Sequence, residues 1–205
     1  MLTCHNLSAK RNGKLIFENI GFTLFSGSCL FIKGRNGIGK TTLLRIIANL
    51  SQKEKGDIFF NGINIKLSIQ EYYNLLFYVG KREVLDQQES VLKNLEFIAS
   101  MYKQTINIAA AIRTFSLEPF IHTEIFKLSE GFKQRVLLSR LLLTNAKIWI
   151  LDEPFNSLDR EGLIIVNNLI KARCGQQGIV IIANHISDKS IDEKNVISME
   201  DFSCD

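Results

Sequence analysis

Gly34-Arg35-Asn36-Gly37-Ile38-Gly39-Lys40-Thr41-Thr42 fits the pattern G-x-x-x-x-G-K-[ST], and few folds can house it. The pattern requires a strand before it and a helix after it. Residues 28–33 are apolar enough for a buried strand, and residues 42–48 carry Leu43, Leu44, Ile46 and Ile47 at helical spacing. The glycines give access to φ values that other residues avoid, so successive N–H groups can turn toward phosphate oxygens. The helix that follows adds its open N–H groups and the positive end of its dipole. In such a loop Lys40 reaches the β and γ phosphates and the Thr41 hydroxyl holds Mg²⁺, so the stretch predicts binding of a nucleoside triphosphate.

Composition bounds what can surround that loop. With 205 residues, 46% hydrophobic and 22% charged, the chain has the balance of an ordinary globular protein, and no low-complexity linker or internal repeat divides it. The net charge of +4 comes without a cluster of five or more basic residues, which argues against a nucleic-acid partner. The 4 cysteines (Cys4, Cys29, Cys174, Cys204) have no metal-type spacing and are expected to be reduced thiols. No apolar run approaches the roughly 18 residues of a membrane span, so direct insertion is not expected and a cytosolic chain is.

Strand-like alternation occupies residues 2–9 and 20–25, around a polar turn at 10–14. Residues 56–62 read as a strand closing on an Asn-Gly turn, and 75–79 as a short buried strand. From about residue 86 the period becomes helical, with Val91, Leu95, Ile98 and Tyr102, then Ile108, Ile112 and Phe115. Strands resume at 147–151 and 178–183. Between them lies a helix capped by Asp159, with Leu163, Val166 and Ile170 on one face. The late strands are continuously apolar, as parallel strands covered on both faces should be. Residues 195–199 read as an edge strand. The expectation is one α/β sheet built by the outer parts of the chain, with a nucleotide-binding core at about 1–85 and 144–205 and an inserted helical subdomain at about 86–143.

Ile148-Trp149-Ile150-Leu151 leads into Asp152-Glu153, which places two carboxylates at the carboxyl edge of the sheet. There Asp152 can position Mg²⁺ or its water, and Glu153 can polarise the attacking water as general base. Leu128-Ser129-Glu130-Gly131-Phe132 opens the next helix. A plain helix capped by Ser129 explains this stretch as well as a second phosphate-binding helix terminus does.

Taken in order, these motifs resemble those of the ATP-binding cassette (ABC) ATPases, over the whole chain. The phosphate loop is the family's Walker A and residues 148–152 its Walker B. Leu128 to Phe132 resembles the LSGGQ signature, Ser157-Leu158-Asp159 the D-loop, and His185 the switch histidine. The resemblance implies a P-loop NTPase (RecA-like) core, mostly parallel, with an N-terminal antiparallel β region. It implies ATP and Mg²⁺ as cofactors, and Lys40, Glu153 and His185 as catalytic residues. It also implies two cassettes paired head to tail, so that Ser129 and Gly131 meet the ATP of the other copy, and it places Asp159 among the nucleotide-binding residues. Arg11 stands where the family has an adenine-stacking aromatic; a guanidinium plane can serve there. Arg82 stands at the family's Q-loop glutamine, with Gln87 and Gln88 nearby. Glu130 and Phe132 also depart from the signature, and slower hydrolysis with retained binding is the expectation.

Within the superfamily the chain is similar to the CcmA family, the haem-exporter ATPases of cytochrome c maturation. The bare cassette length, the wording Trp149-Ile150-Leu151-Asp152-Glu153-Pro154-Phe155 and the Arg at position 11 carry that likeness. It implies integral membrane subunits as partners, and a peripheral place on the cytoplasmic face of a bacterial inner membrane or the matrix face of an organelle. A soluble ABC protein acting on DNA or ribosomes would need a second cassette, a coiled coil or a zinc module, which this sequence lacks. An ordinary P-loop kinase or GTPase leaves the signature, D-loop and His185 without a purpose.

Overall fold

The computed structural model describes residues 1–80, 85–101, 107–184 and 195–204. They divide into two compact units. One is Met1–Gly80 with Ala146–Glu153 and Ile170–Asp205; the other is Lys81–Asn145 with Pro154–Leu169.

In chain order the first unit holds β1 (Leu2–Arg11), β2 (Lys14–Leu24), β3 (Cys29–Lys33), α1 (Lys40–Ile47), β4 (Lys55–Phe60) and β5 (Ile63–Asn64). These are followed by α2 (Ile69–Leu75), β6 (Leu76–Val79), β7 (Ile148–Asp152), β8 (Ile179–Ala183) and β9 (Asn195–Ser198). The strands form two sheets, the parallel core and the N-terminal antiparallel region that the family resemblance implied, where the strand runs alone suggested one. β2-β1-β4-β5 is antiparallel, and β6-β7-β8-β3-β9 is parallel. Connections explain the split. Asn12-Gly13 and Asn61-Gly62 both take left-handed φ values, 52° and 79°, then 48° and 81°, and so make tight turns that return the chain antiparallel. β3 reaches its parallel neighbours only through long crossovers.

The parallel strands are buried on both faces. Leu30 and Ile32 of β3, Ile148 and Ile150 of β7, and Ile179 and Ile181 of β8 share one core with Leu43, Leu44 and Ile47 of α1. The alternate residues Phe31, Trp149, Leu151, Val180 and Ile182 are equally buried. Continuous apolar runs therefore follow from two covered faces. α1 touches β1 as well as β7 and β8, so the helix after the phosphate loop packs on strands of both sheets. The buried Tyr72 hydroxyl donates to Ile47 O (2.8 Å) and fixes the end of α1.

The second unit contains α3 (Val91–Ser100), α4 (Ile108–Thr114) and α5 (Glu130–Ser139), and α6 (Arg160–Gly175) begins in it. Ser90, Asn107 and Ser129 cap the first three helices, each accepting from a backbone N–H in the first turn. Between the helices lie short 3-10 turns at Glu118–Phe120 and Ile125–Lys127. Among the described residues of this unit there is no strand, only an isolated bridge between Ser90 and Glu124. The helical period at 108–115 is cut one residue short: α4 ends at Thr114, Phe115 is its buried C-cap, and Ser116 turns left-handed with φ 54°. Tyr102 lies outside the described residues. No helix among them is long and apolar enough to cross a membrane.

Candidate active site

Between β3 and α1 the chain forms a loop that only a glycine could close. Gly39, the N-cap of α1, has φ 115°, and a Cβ there would lie 2.8 Å from Ile16 Cγ2. α1 has no side-chain cap and no acidic residue in its first turn, so its N-terminus presents an uncancelled positive dipole end. Lys40 is 5% exposed, and its ammonium donates to Gly34 O (2.5 Å) and Arg35 O (3.0 Å), bracing the loop from within. Ile38 is buried and pins the loop, whereas Arg35, Asn36 and Gly37 are exposed. Thr41 and Thr42 follow in the first turn of α1.

The second cluster is at the end of β7. Asp152 is 4% exposed, and its Oδ2 accepts the Thr41 hydroxyl at 2.7 Å, joining residues 111 positions apart. Glu153 is 6% exposed and has φ 52°, a left-handed conformation costing about 1–2 kcal/mol in a residue with a Cβ. Its amide donates to Ala183 O (2.8 Å). The strand therefore stops at Asp152, and Glu153 leaves the alternation of the strand that precedes it. An outlier of this kind at a strand end points to function.

In the second unit Ser129 caps α5 through a 3.4 Å bond from Phe132 N. A Cβ on Gly131 would sit 2.9 Å from Ser157 O, so packing within the chain already requires this glycine. The Phe132 ring packs against Phe120 with centroids 4.3 Å apart and planes tilted by 51°, and the Arg135 guanidinium lies 5.5 Å from its centroid. Asp159 accepts two 2.8 Å bonds from Arg135 and one of 2.9 Å from Gly162 N, which makes it the cap the sequence suggested for α6. Glu161 accepts from the same Arg135 at 2.7 Å.

Arg135 holds the Asp159 carboxyl, and that of Glu161, below the usual carboxylate range; the Gly162 amide assists at Asp159 and the Ser116 hydroxyl at Glu161. Depressed carboxyl pKa values stabilise the fold above the unfolded values near 4, and that contribution is lost as pH falls through the folded ones. Arg135→Gln is therefore expected to lower the urea midpoint at pH 7. The gap to wild type should narrow below about pH 4; an equal gap at both pH values would contradict the ion-pair account.

Arg11 is exposed at the end of β1, opposite Lys14. Gln87 bonds Leu85 O through its side chain, and the Gln88 amide bonds the Asp86 carboxylate. His185 and Arg82 lie outside the described residues. Sequence reasoning missed Arg135 and Glu200. Arg135 reads as an ordinary polar residue of α5. The Glu200 carboxylate accepts the Arg35 amide at 2.9 Å from 165 residues away, with no local motif to flag it.

A five-stranded parallel sheet whose carboxyl edge brings a glycine loop, a lysine and a strand-end acid pair into one unit defines a P-loop nucleotide-hydrolase. Comparisons with known proteins narrow the class. Residues 17–156 match the ABC transporter family model. The chain is 37% identical over 202 residues to the cytochrome c biogenesis ATP-binding export protein CcmA of Wolbachia pipientis wMel, covering 98% of each. It is 39% identical over 189 residues to the CcmA of Reclinomonas americana, covering 90% of this chain and 84% of that one. In structure it is similar to a putative ABC transporter ATP-binding protein from Pyrococcus furiosus, with TM-score 0.83, 28% identity and 98% of both chains covered. A dimeric ATP-binding cassette bound to ADP and Pi shares the fold at TM-score 0.78 and 21% identity, covering 91% of this chain and 88% of that one. The chain belongs to the ABC transporter family as an ATP-binding, CcmA-like ATPase subunit.

Proposed function

We propose that this ATPase powers export in cytochrome c biogenesis, with haem as the cargo, as one of two identical cassettes attached to integral membrane subunits. The bond between Thr41 and Asp152 carries the catalytic part of the reading, because it joins the phosphate loop to the strand-end acids. Likeness to CcmA over 98% of both chains supports the export part.

In this reading the N–H groups of residues 34–42 and the Lys40 ammonium bind the β and γ phosphates of ATP. A hydroxyl and a carboxylate 2.7 Å apart suit Mg²⁺, which takes one or two protein oxygens and fills its octahedron with phosphate oxygens and water. Thr41 and Asp152 would hold the ion, and its charge would offset that of the phosphates. Glu153 would accept the proton of the attacking water from the left-handed turn at the end of β7. His185 would contact the γ-phosphate, and Arg11 would stack on the base. Ser129 and Gly131 would face the ATP of the second copy, Asp159 would join the nucleotide site, and residues of about 86–143 would serve as the inserted helical subdomain. The protein would sit on the cytoplasmic face of a bacterial inner membrane, or the matrix face of an organelle, without inserting and without nucleic acid.

Affinity purification of the tagged chain from detergent-solubilised membranes tests this. Integral subunits that co-purify, together with loss of haem-loaded cytochrome c when the chain is depleted, are the expected result. Co-purification with ribosomes or DNA would overturn it.

A further inference from the structure

The turn that follows β9 packs directly on the phosphate loop. Met199 is fully buried, and its Cβ lies 3.1 Å from where a side chain on Gly34 would begin; its Cε lies 3.5 Å from the same point on Gly39. Next to it, Glu200 Oε1 accepts the Arg35 amide at 2.9 Å, and Oε2 accepts the Ser198 hydroxyl at 2.8 Å. This turn is itself held to β2: Glu18 N donates to Phe202 O at 3.1 Å, and Cys204 N to Ile16 O at 3.4 Å. Ile16 and Phe17 are the residues that crowd Gly39. Met199, Glu200 and the β2 residues Ile16 and Phe17 thus all pack on the loop, and Lys40 braces it through the carbonyls of Gly34 and Arg35.

We infer that Glu200 is a positioning residue for the phosphate loop, holding the Arg35 amide so that the loop is already shaped for a triphosphate before nucleotide arrives. The inference rests on the ATP-binding reading and deepens it. The peptide at the start of such a loop can rotate, and because the Arg35 amide shares one plane with the Gly34 carbonyl, its rotation would move that carbonyl away from the Lys40 ammonium. Fixing the amide fixes that carbonyl, and with it the lysine that binds phosphate. Preorganisation of this kind appears as affinity, because the ordering cost is removed from the binding step. The Glu200 carboxyl is held below its ordinary range, first by the Arg35 amide, then by the Ser198 hydroxyl and its own backbone amide, with a small contribution from the Lys40 charge. It is therefore an anion, and hydrogen bonds to an ionised acceptor are stronger than neutral ones.

Glu200→Ala and Glu200→Gln in the full chain test this, with ATP affinity by calorimetry, steady-state turnover, and amide hydrogen exchange at Arg35 without nucleotide. The alanine variant is expected to bind ATP about tenfold more weakly. Its KM should rise with kcat held within about twofold, and Arg35 exchange should accelerate. The glutamine variant keeps a carbonyl acceptor and should recover most of the affinity. Wild-type affinity in Glu200→Ala, or a glutamine variant as weak as the alanine one, would overturn the inference. Failure of the wild-type chain to bind ATP would instead overturn the nucleotide-binding reading itself. Equal melting temperatures for the three proteins keep a folding defect from imitating the effect.

Discussion

Glu153→Gln is expected to lower ATP turnover by about 10²–10⁴-fold while leaving nucleotide affinity close to wild type. The amide matches the carboxylate in size and keeps the backbone bond from residue 153 to Ala183 O, so the left-handed turn survives the change. What disappears is the proton acceptor. ATP should then stay bound and uncleaved, and an ATP-dependent dimer is expected to accumulate beyond its wild-type level. Phosphate release in single-turnover conditions reads the chemistry, and light scattering with and without Mg-ATP reads the dimer. Turnover near the wild-type rate would sink the general-base role. Glu153 sits 6% exposed, directly after the fully buried strand β7.

Lys40→Ala should have a comparably large effect on binding, weakening ATP by about 30-fold or more. Two consequences combine. The triphosphate loses an ammonium partner, and the carbonyls of Gly34 and Arg35 lose the donor that draws the loop around it. Arginine at this position is not expected to restore binding, because a planar guanidinium cannot replace a compact ammonium inside so small a turn. Calorimetric titration of ATP into the variant checks this, and unchanged affinity would remove the phosphate-loop assignment.

Several parts of this architecture were legible in the residues themselves. The loop at 34–42 is read from types and spacing because its chemistry is local: glycines, a lysine and a threonine must be close in sequence to share one turn. The acid pair at 152–153 is read in the same way, from the apolar run that ends on it. Arg135 was not legible, because its carboxylates are on another segment and nothing in α5 marks one arginine among its polar neighbours. Phe132 read only as a departure from a pattern; that its ring packs against Phe120, twelve residues earlier and in another turn, came from the structure. Gly131 had two explanations in sequence. The structure adds a third, the close approach of Ser157 O.

The sequence by itself determined the kind of loop, the acids it works with, the parallel character of the late strands and the family. These are properties of period, residue type and order along the chain. Only the tertiary structure decided that Thr41 and Asp152 are hydrogen-bonded, that Glu153 turns left-handed at the strand end, and that Glu200 grips the loop. The Thr41–Asp152 and Arg35–Glu200 bonds depend on packing between segments more than a hundred residues apart, and the Glu153 turn on where β7 meets β8. Hydrophobic burial drives such segments together without direction, and the hydrogen bonds that select a partner form only after they meet.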